Sequence, residues 1–428
     1  MNRTIQNLRP GFKINAQIRL PGSKSITHRA LMMASLARGE SKITNPLAAD
    51  DTLLSAEALR QLGVAITWEE ETVTVNPPEH RWAQPDQPLF LGNSGTSMRF
   101  LLSLAAAGEG RFVFDGTTRL RERPVGPVLE ALASLGATCS YLKQPGYPPV
   151  EILSAGLSGG ELQVDARQSS QFVSSLLIAA PCALREVRIG WLEPIASMPY
   201  VNLTLAMMEQ AGIRFRWTTS NQIAIPAPQN YLPMSYAVEG DCSSASYFWA
   251  AAALTRGEIY TYPLSPQSRQ GDLHLLEVLR AMGCRITWEA EGVKVRGPDH
   301  LQPVELDMNA MPDMVPTMAV VAAFAPGRSQ IRNVAHLRVK ESDRLHAIAT
   351  ELGKFAVPIE EHPDGLVIHG GKVLPPQGAI DVYDDHRIAM AFALMGLRIE
   401  GVEIHGAEAV AKSFPAFWDL FERLGRAC

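Results

Sequence analysis

One recurrence constrains this chain more than any other feature. A helix-like run ending in a small or apolar residue, then Gly, then a β-rich stretch returns six times. It appears at Gln61-Leu62-Gly63-Val64, Ser134-Leu135-Gly136-Ala137, Gln210-Ala211-Gly212-Ile213, Ala281-Met282-Gly283-Cys284, Glu351-Leu352-Gly353-Lys354 and Arg423-Leu424-Gly425-Arg426. The glycines lie 70 to 76 residues apart, and 428 residues divided by six gives about 71, so six similar units fill the chain. A Gly directly after an amphipathic run predicts a helix C-cap in the left-handed conformation.

Each unit reads as a polar or Gly-rich loop, an Ala/Leu/Met-rich helix, a short strand, a second helix closed by the Gly, then strands. In the first unit the loop is Pro21 to Ser25, the first helix Arg29 to Ala37 and the second Asp51 to Leu62. Later first helices open at Gly95-Thr96, Ser169-Ser170-Gln171, Ser243-Ser244, Asp313 and Asp385-His386-Arg387. The first helices are nearly all apolar and should be buried on every side. The second carry charge and should face solvent, as Leu273 to Arg280 illustrates. The prediction is an α/β fold of units grouped three and three into two similar halves, with the break near Val238-Glu239-Gly240. Apolar stretches such as Met318 to Pro326 fall short of the roughly 18 to 20 residues that cross a bilayer. The start lacks the apolar core of a secretory signal, so a cytoplasmic protein without membrane contact is expected. A net charge of −5 argues against nucleic acid as partner. The cysteines at 139, 182, 242, 284 and 428 show no paired spacing and read as reduced packing residues.

The six helix starts are candidate anion sites, because a first turn leaves N–H groups free and carries partial positive charge. Each alone is also an ordinary N-cap. The cations in the same loops shift the balance toward an anionic ligand: Lys24 and Arg29, Arg99, Arg123, Lys340 and Arg344, Arg387, and Lys412. Pro21-Gly22-Ser23-Lys24-Ser25 lacks the glycines of a nucleotide P-loop, having Ile18 and Ser23 where that pattern needs them. No metal-ligand spacing and no serine-hydrolase elbow occurs, so metal hydrolysis and serine hydrolysis have no support. The toolkit is carboxylate, Lys, Arg and His. On the residues alone, Asp313 reads as an N-cap and Glu341 as a surface partner of Arg344 at i, i+3. Lys340 and Arg344, four apart, fall on one predicted helix.

Taken together, these motifs resemble the 5-enolpyruvylshikimate-3-phosphate synthase family. The resemblance is carried by Leu20-Pro21-Gly22-Ser23-Lys24-Ser25 with Arg29, Gly92-Asn93-Ser94-Gly95-Thr96 with Arg99, and Arg121-Glu122-Arg123-Pro124. It continues through Ser169-Ser170-Gln171-Phe172, Gly240-Asp241-Cys242-Ser243-Ser244-Ala245, Arg338-Val339-Lys340-Glu341-Ser342-Asp343-Arg344 and Asp385-His386-Arg387-Ile388-Ala389-Met390. It spans the whole chain in order. It implies two similar domains of three βαβαββ units each, with buried inner helices and a cleft between the domains. Residues 22–239 would form the first domain, and residues 1–21 with 240–428 the second. The implied reaction joins shikimate 3-phosphate and phosphoenolpyruvate into an enolpyruvyl ether and releases phosphate, without metal or cofactor. Nothing in the sequence demands a partner protein or a tight dimer, so a monomer whose partners are these small molecules is expected. By resemblance the shikimate phosphate sits on Ser169, Ser170 and Ser197. Lys24, Ser25, Arg29, Gln171, Tyr200, Asp313, His336 and Lys340 surround the ring. Phosphoenolpyruvate falls to Lys24, Gly95, Arg123, Gln171, Arg344, Arg387 and Lys412, with Asn93, Thr96, Arg99 and His386 as further candidates. Asp313 would deprotonate the 5-hydroxyl, Glu341 would protonate the methylene carbon and take that proton back, and Lys24 would be the catalytic cation.

The chemistry suits such ligands. Two phosphates and a carboxylate bring a charge of about −5; Arg forks match planar anions, while Lys acts as a point charge. Gly95 would let backbone approach the ligand where a Cβ would intrude. The chain departs from the family at His336, where many relatives have Asn, and at Ser94, Phe100 and Met198, where enterobacterial relatives have Ala, Pro and Lys; sensitivity to glyphosate, the family's phosphoenolpyruvate-competing inhibitor, is not legible from these residues. The sister transferase acting on UDP-N-acetylglucosamine carries a catalytic Cys on a loop that here, Asp115 to Arg123, has none. A non-catalytic anion-binding scaffold of the same fold is the other alternative.

Overall fold

The computed structural model describes residues 1–5, 12–78 and 82–425. It divides into two compact units, Gly22–Val238 (the central unit) and Met1–Pro21 with Glu239–Cys428 (the flanking unit). The central unit carries helices α1 (Lys24–Ser35), α2 (Asp50–Gln61), α3 (Gly95–Ala107), α4 (Gly126–Ser134), α5 (Gln171–Ala179) and α6 (Met198–Gln210). The flanking unit carries α7 (Cys242–Thr255), α8 (Leu275–Ala281), α9 (Val315–Ala323), α10 (Arg344–Gly353), α11 (His386–Ala393) and α12 (Phe417–Arg423).

The βαβαββ pattern is plainest in the second repeat. Leu89–Phe90 and Glu109–Asp115 pair in parallel across α3, Leu89 opposite Phe114. After α4, Thr138–Tyr141 and Val150–Ala155 form an antiparallel hairpin that completes the sheet. A crossover helix is what a parallel pair demands, and a hairpin is what a short return allows. The same parallel pairing spans α5, α9 and α11. The other two sheets exchange their first strands. Asn15–Arg19, which precedes α1, pairs in parallel with Glu258–Tyr262 after α7. Ser235–Ala237, which precedes α7, pairs with Ser41–Thr44 after α1. Asn2–Thr4 closes the sixth sheet by pairing antiparallel with Glu403–His405.

The odd-numbered helices are the inner ones. All residues of α7, α9 and α11 are buried, as are those of α1 from Ile26 onward, because their sequences offer apolar or small side chains on every face. The even-numbered helices keep a solvent face that includes Glu57, Arg60, Glu277 and Arg280. Each unit has its own apolar core. The glycine signal is mixed. Gly63, Gly136, Gly212 and Gly283 take positive φ after their helices, whereas α10 runs through Gly353 and Ala356 takes the left-handed turn instead. Helix α1 begins at Lys24, five residues before the Arg29 start that the sequence suggested, since the polar loop residues already wind. Cys139, Cys182, Cys242 and Cys284 are free thiols, and burial pushes Cys139 up to about 11 and Cys182 and Cys284 to about 12, in keeping with packing roles. Cys428 lies outside the described residues. Among the described residues no helix is long and apolar enough to cross a membrane.

The entry into the central unit depends on Gly22, where a Cβ would stand 1.9 Å from the Asn45 carbonyl oxygen. Neither partner is a flexible side chain, so the backbone itself would have to move. Gly22→Ala is therefore expected to destabilise the protein by about 1 to 3 kcal/mol, read as a lower midpoint in urea unfolding. An unchanged midpoint would mean that the loop at Asn45 yields freely.

Candidate active site

In the central unit, the helix starts differ in how they are capped. Ser94 caps α3 by accepting from the Ser97 N–H, whereas Ser23 before α1 and Ser170 before α5 make no side-chain cap. These two starts carry Lys24 and Ser25 in one case and Ser170 and Gln171 in the other, with Ser169 Oγ accepting the Gln171 N–H at 3.3 Å; α4 and α6 also lack a side-chain cap. Lys24 Nζ donates to Asp51 Oδ2 at 3.1 Å. Arg29 is buried and donates to Thr204 Oγ1, the Ser25 carbonyl, Ser174 Oγ and the Tyr200 carbonyl, with its guanidinium 5.2 Å from the Phe100 ring and 5.8 Å from that of Tyr200. No ion pair to Arg29 occurs among the described residues. Burial accordingly lowers its pKa to about 10, with Tyr200 and Tyr236 opposing. Hydroxyl and carbonyl oxygens, rather than a carboxylate, satisfy this buried guanidinium.

Arg99 donates to Gln171 Oε1 at 2.7 Å, and Gln171 Nε2 donates to Thr96 Oγ1 at 2.9 Å, tying α3 to α5. Arg123 donates to the Asn93 carbonyl at 3.1 Å. The place a Cβ on Gly95 would take lies 2.6 Å from the Arg123 Cζ. The missing Cβ thus makes room for a cationic side chain of the protein itself, a use of Gly95 that the sequence did not reveal. Ser197 stands in left-handed geometry (φ 58°) before α6, and Tyr200 lies in the first turn of that helix.

In the flanking unit the charges form one cluster. Arg344, 1% exposed, gives Nη1 to Asp313 Oδ1 (2.8 Å), Nη2 to Glu341 Oε2 (2.9 Å) and Nε to Asp385 Oδ2 (2.7 Å). Arg387 Nη2 donates to the other oxygen of Asp313 at 2.8 Å. Burial pushes the Asp313 carboxyl up, but Arg387, Arg344 and Lys340 outweigh it and hold the group below the usual carboxylate range. His336 is driven the other way: burial, then Lys340, then Arg344 lower its pKa to about 3, against Asp313. Its imidazole is therefore neutral at working pH. Lys412 ends the 3-10 turn Ala407–Lys412 with its side chain mostly buried, and His386 lies buried in α11 with Nδ1 3.9 Å from Asp385 Oδ1.

Two sequence readings change here. Lys340 and Arg344 do not share a helix. The 3-10 turn Ala335–Val339 stops before Lys340, whose backbone is extended, and α10 starts afresh at Arg344 under the Asp343 cap. Asp343 accepts from the His346 N–H at 3.1 Å, which is the local reason the helix begins there. The Glu341–Arg344 pair exists at i, i+3, but it is buried rather than a surface contact. Asp313, in the 3-10 turn Pro312–Met314, makes no cap at all; both its oxygens go to guanidinium groups.

The sequence reading passed over Asp51, Asp272 and Asp385. Asp385 was quoted only as part of a motif, yet it accepts from Arg344, from Ser342 Oγ and from the Arg387 N–H at 2.9 Å, capping α11. An Asp one residue before a helix that starts with His-Arg is a readable cap signal. Asp272 accepts from Ser243 Oγ, and Gln270-Gly271-Asp272 offers no pattern that would have marked it.

With this geometry in place, the comparisons decide the family. The sequence profile of EPSP synthase (3-phosphoshikimate 1-carboxyvinyltransferase) matches residues 8–421. The chain belongs to the EPSP synthase family. It is 58% identical over 424 residues to a 3-phosphoshikimate 1-carboxyvinyltransferase of Syntrophobacter fumaroxidans, covering 99% of this chain and 100% of that protein. It is 42% identical to the enzyme of that name in Vibrio vulnificus, covering 97% and 98% of the two chains. Among solved structures it resembles the EPSP synthase of Acinetobacter baumannii, with a TM-score of 0.81 at 29% identity over 99% of this chain and 98% of that one. The family resemblance read from the motifs and the α/β fold class are both upheld.

Burial and then the Asp313 charge raise the Asp272 carboxyl from 3.8 to about 6, despite Arg387. The folded state therefore holds this proton more tightly than the unfolded chain. The associated stability is fully present below about pH 4 and is lost as pH rises through 6. Asp272→Asn, uncharged throughout, is expected to gain melting temperature relative to the parent progressively between pH 4 and 7. A difference that stays constant over that range would refute the assignment.

Proposed function

We infer that the chain transfers the enolpyruvyl group of phosphoenolpyruvate to the 5-hydroxyl of shikimate 3-phosphate and releases phosphate, a step toward chorismate and the aromatic amino acids. The observation that carries the reading is the Asp313 carboxylate gripped by Arg344 and Arg387, with Glu341 on the same guanidinium. Two acids among cations suit a reaction that moves protons on anionic substrates. In this reading Ser169, Ser170 and Ser197 hold the shikimate phosphate, while Lys24, Ser25, Arg29, Gln171, Tyr200, Asp313, His336 and Lys340 hold the rest of that substrate. Lys24, Gly95, Arg123, Gln171, Arg344, Arg387 and Lys412 hold phosphoenolpyruvate, supported by Asn93, Thr96, Arg99 and His386.

The ring oxygen adds to C2 of phosphoenolpyruvate as its proton passes to Asp313, and C3 becomes a methyl group with a proton from Glu341. Phosphate then leaves C2 with the proton that Asp313 had taken, one methyl proton returns to Glu341, and the double bond and both carboxyl groups are restored. Asp313, held low by its cations, is a weak base in the free protein. Once substrate phosphate and carboxylate groups engage Arg344 and Arg387, those cations are shared and the proton affinity of Asp313 rises. Substrate binding thus switches on the base. Arg and Lys offset the charge on the departing phosphate. The reading includes work as a monomer in the cytoplasm, supported by the charge of the phosphorylated substrates, which keeps them from crossing membranes unaided.

Phosphate release from phosphoenolpyruvate should depend strictly on shikimate 3-phosphate and fail with UDP-N-acetylglucosamine. Dependence on the latter would assign the sister reaction, and release with neither would favour a binding scaffold. Asp313→Asn and Glu341→Gln should each lower kcat by about 10² to 10⁴ while leaving KM for both substrates within a few-fold. Parent-like turnover in either variant removes that residue from the mechanism.

A further inference from the structure

A buried chain of side chains behind the Gly95 loop belongs to none of the roles above. His28 of α1, Ser55 of α2, and Ser94 and Ser97 at the start of α3 are all fully buried. His28 Nδ1 lies 2.9 Å from Ser55 Oγ, Ser55 Oγ donates to Ser97 Oγ at 2.8 Å, and Ser97 Oγ donates to the Asp51 carbonyl at 3.1 Å. Ser94 Oγ is 2.6 Å from Ser97 Oγ and accepts the Ser97 N–H at 3.3 Å.

A hydroxyl has one proton to give, and this fixes the direction of every link. Ser55 spends its proton on Ser97, so the bond with His28 must be donated by Nδ1–H. Ser97 gives its proton to Asp51, so Ser94 donates to Ser97. The chain therefore runs from the His28 ring to the backbone of the residue whose carboxylate holds Lys24 at 3.1 Å. Its other branch ends on the N-cap of the helix that begins at Gly95. Arg123 donates to the Asn93 carbonyl of that loop and packs where a Gly95 Cβ would be.

We propose that His28, Ser55 and Ser97 are positioning residues: their hydrogen-bond chain sets the Asn93–Thr96 loop against Arg123 and sets Lys24 through Asp51, and so tunes the affinity for phosphoenolpyruvate. The inference rests on the activity assigned above. Linked hydroxyls in a dry interior polarise one another and act as a unit, so removing any one member slackens the whole chain.

The test is steady-state kinetics on the full-length protein for Ser97→Ala, Ser55→Ala and the double variant. Ser103→Ala serves as control, since Ser103 lies farther along the same helix in a buried hydroxyl pair with Ser175 at 3.0 Å. Either single variant should raise KM for phosphoenolpyruvate about fivefold or more, and by a larger factor than it changes kcat or KM for shikimate 3-phosphate, where Lys24 also acts. The double variant should cost no more than the larger single one. Ser103→Ala should leave both KM values in place. An unmoved KM for phosphoenolpyruvate, additive effects, or an equal rise in Ser103→Ala overturns the proposal. Ser55→Ala, remote from the loop, carries the test if Ser97→Ala fails to fold. An inactive parent protein would overturn the assigned activity and this proposal with it, whereas an active parent with unmoved variants overturns the proposal alone.

Discussion

The Arg344 guanidinium is the contact on which the flanking unit's chemistry depends. Burying such a charge costs several kcal/mol unless it is paired and fully hydrogen-bonded. Here Asp385, Glu341 and Asp313 supply the partners, and they raise the Arg344 pKa despite its burial. The same carboxylate of Asp385 caps α11. One guanidinium thereby ties the start of α10 to the start of α11 and to the turn before α9. Three helix starts are fixed relative to one another by one cation, and the two acids assigned to proton transfer are fixed with them.

The inner helices make this placement possible. Because α7, α9 and α11 are buried along their whole length, they cannot slide without exposing apolar surface, and their N-termini become rigid mounting points. The central unit uses the device differently. Its helix starts present hydroxyls and backbone groups around Arg29, Arg99 and Arg123, whose guanidinium groups find carbonyl partners at Ser25, Tyr200, Pro124 and Asn93, the Gln171 amide oxygen, and the hydroxyl of Thr204. In the flanking unit acids and cations cluster together, whereas in the central unit Arg29, Arg99 and Arg123 donate to neutral oxygens and Lys24 to Asp51. That division suits a reaction that must both move protons and hold phosphate.

Much of this was legible before any coordinates. The six-fold glycine period and the apolar runs gave the repeating helix–strand–helix–strands unit, because periodic burial writes directly into sequence, while the strand that opens each βαβαββ unit came only with the family resemblance. The cationic loop residues were legible because several Arg and Lys beside Gly and Ser are hard to explain as surface decoration. What stayed hidden depends on long-range pairing. No local signal says that Asn15–Arg19 joins the sheet after α7 while Ser235–Ala237 joins the one after α1. Similarly, Lys340 and Arg344 looked helical together because spacing is blind to the Asp343 cap between them. Asp272 was missed because its partner Ser243 is 29 residues away. Gly95 was read as a place where backbone approaches a ligand; the group beside the place of its missing Cβ is the protein's own Arg123.

The account's central claim is that a proton from Glu341 converts the methylene carbon to a methyl group before phosphate leaves. Running the reaction in deuterium oxide and locating the label by NMR tests it most directly. Deuterium should enter the vinyl group of the product, and Glu341→Gln should lose this incorporation together with turnover. Product formed at the normal rate with an unlabelled vinyl group would contradict the account.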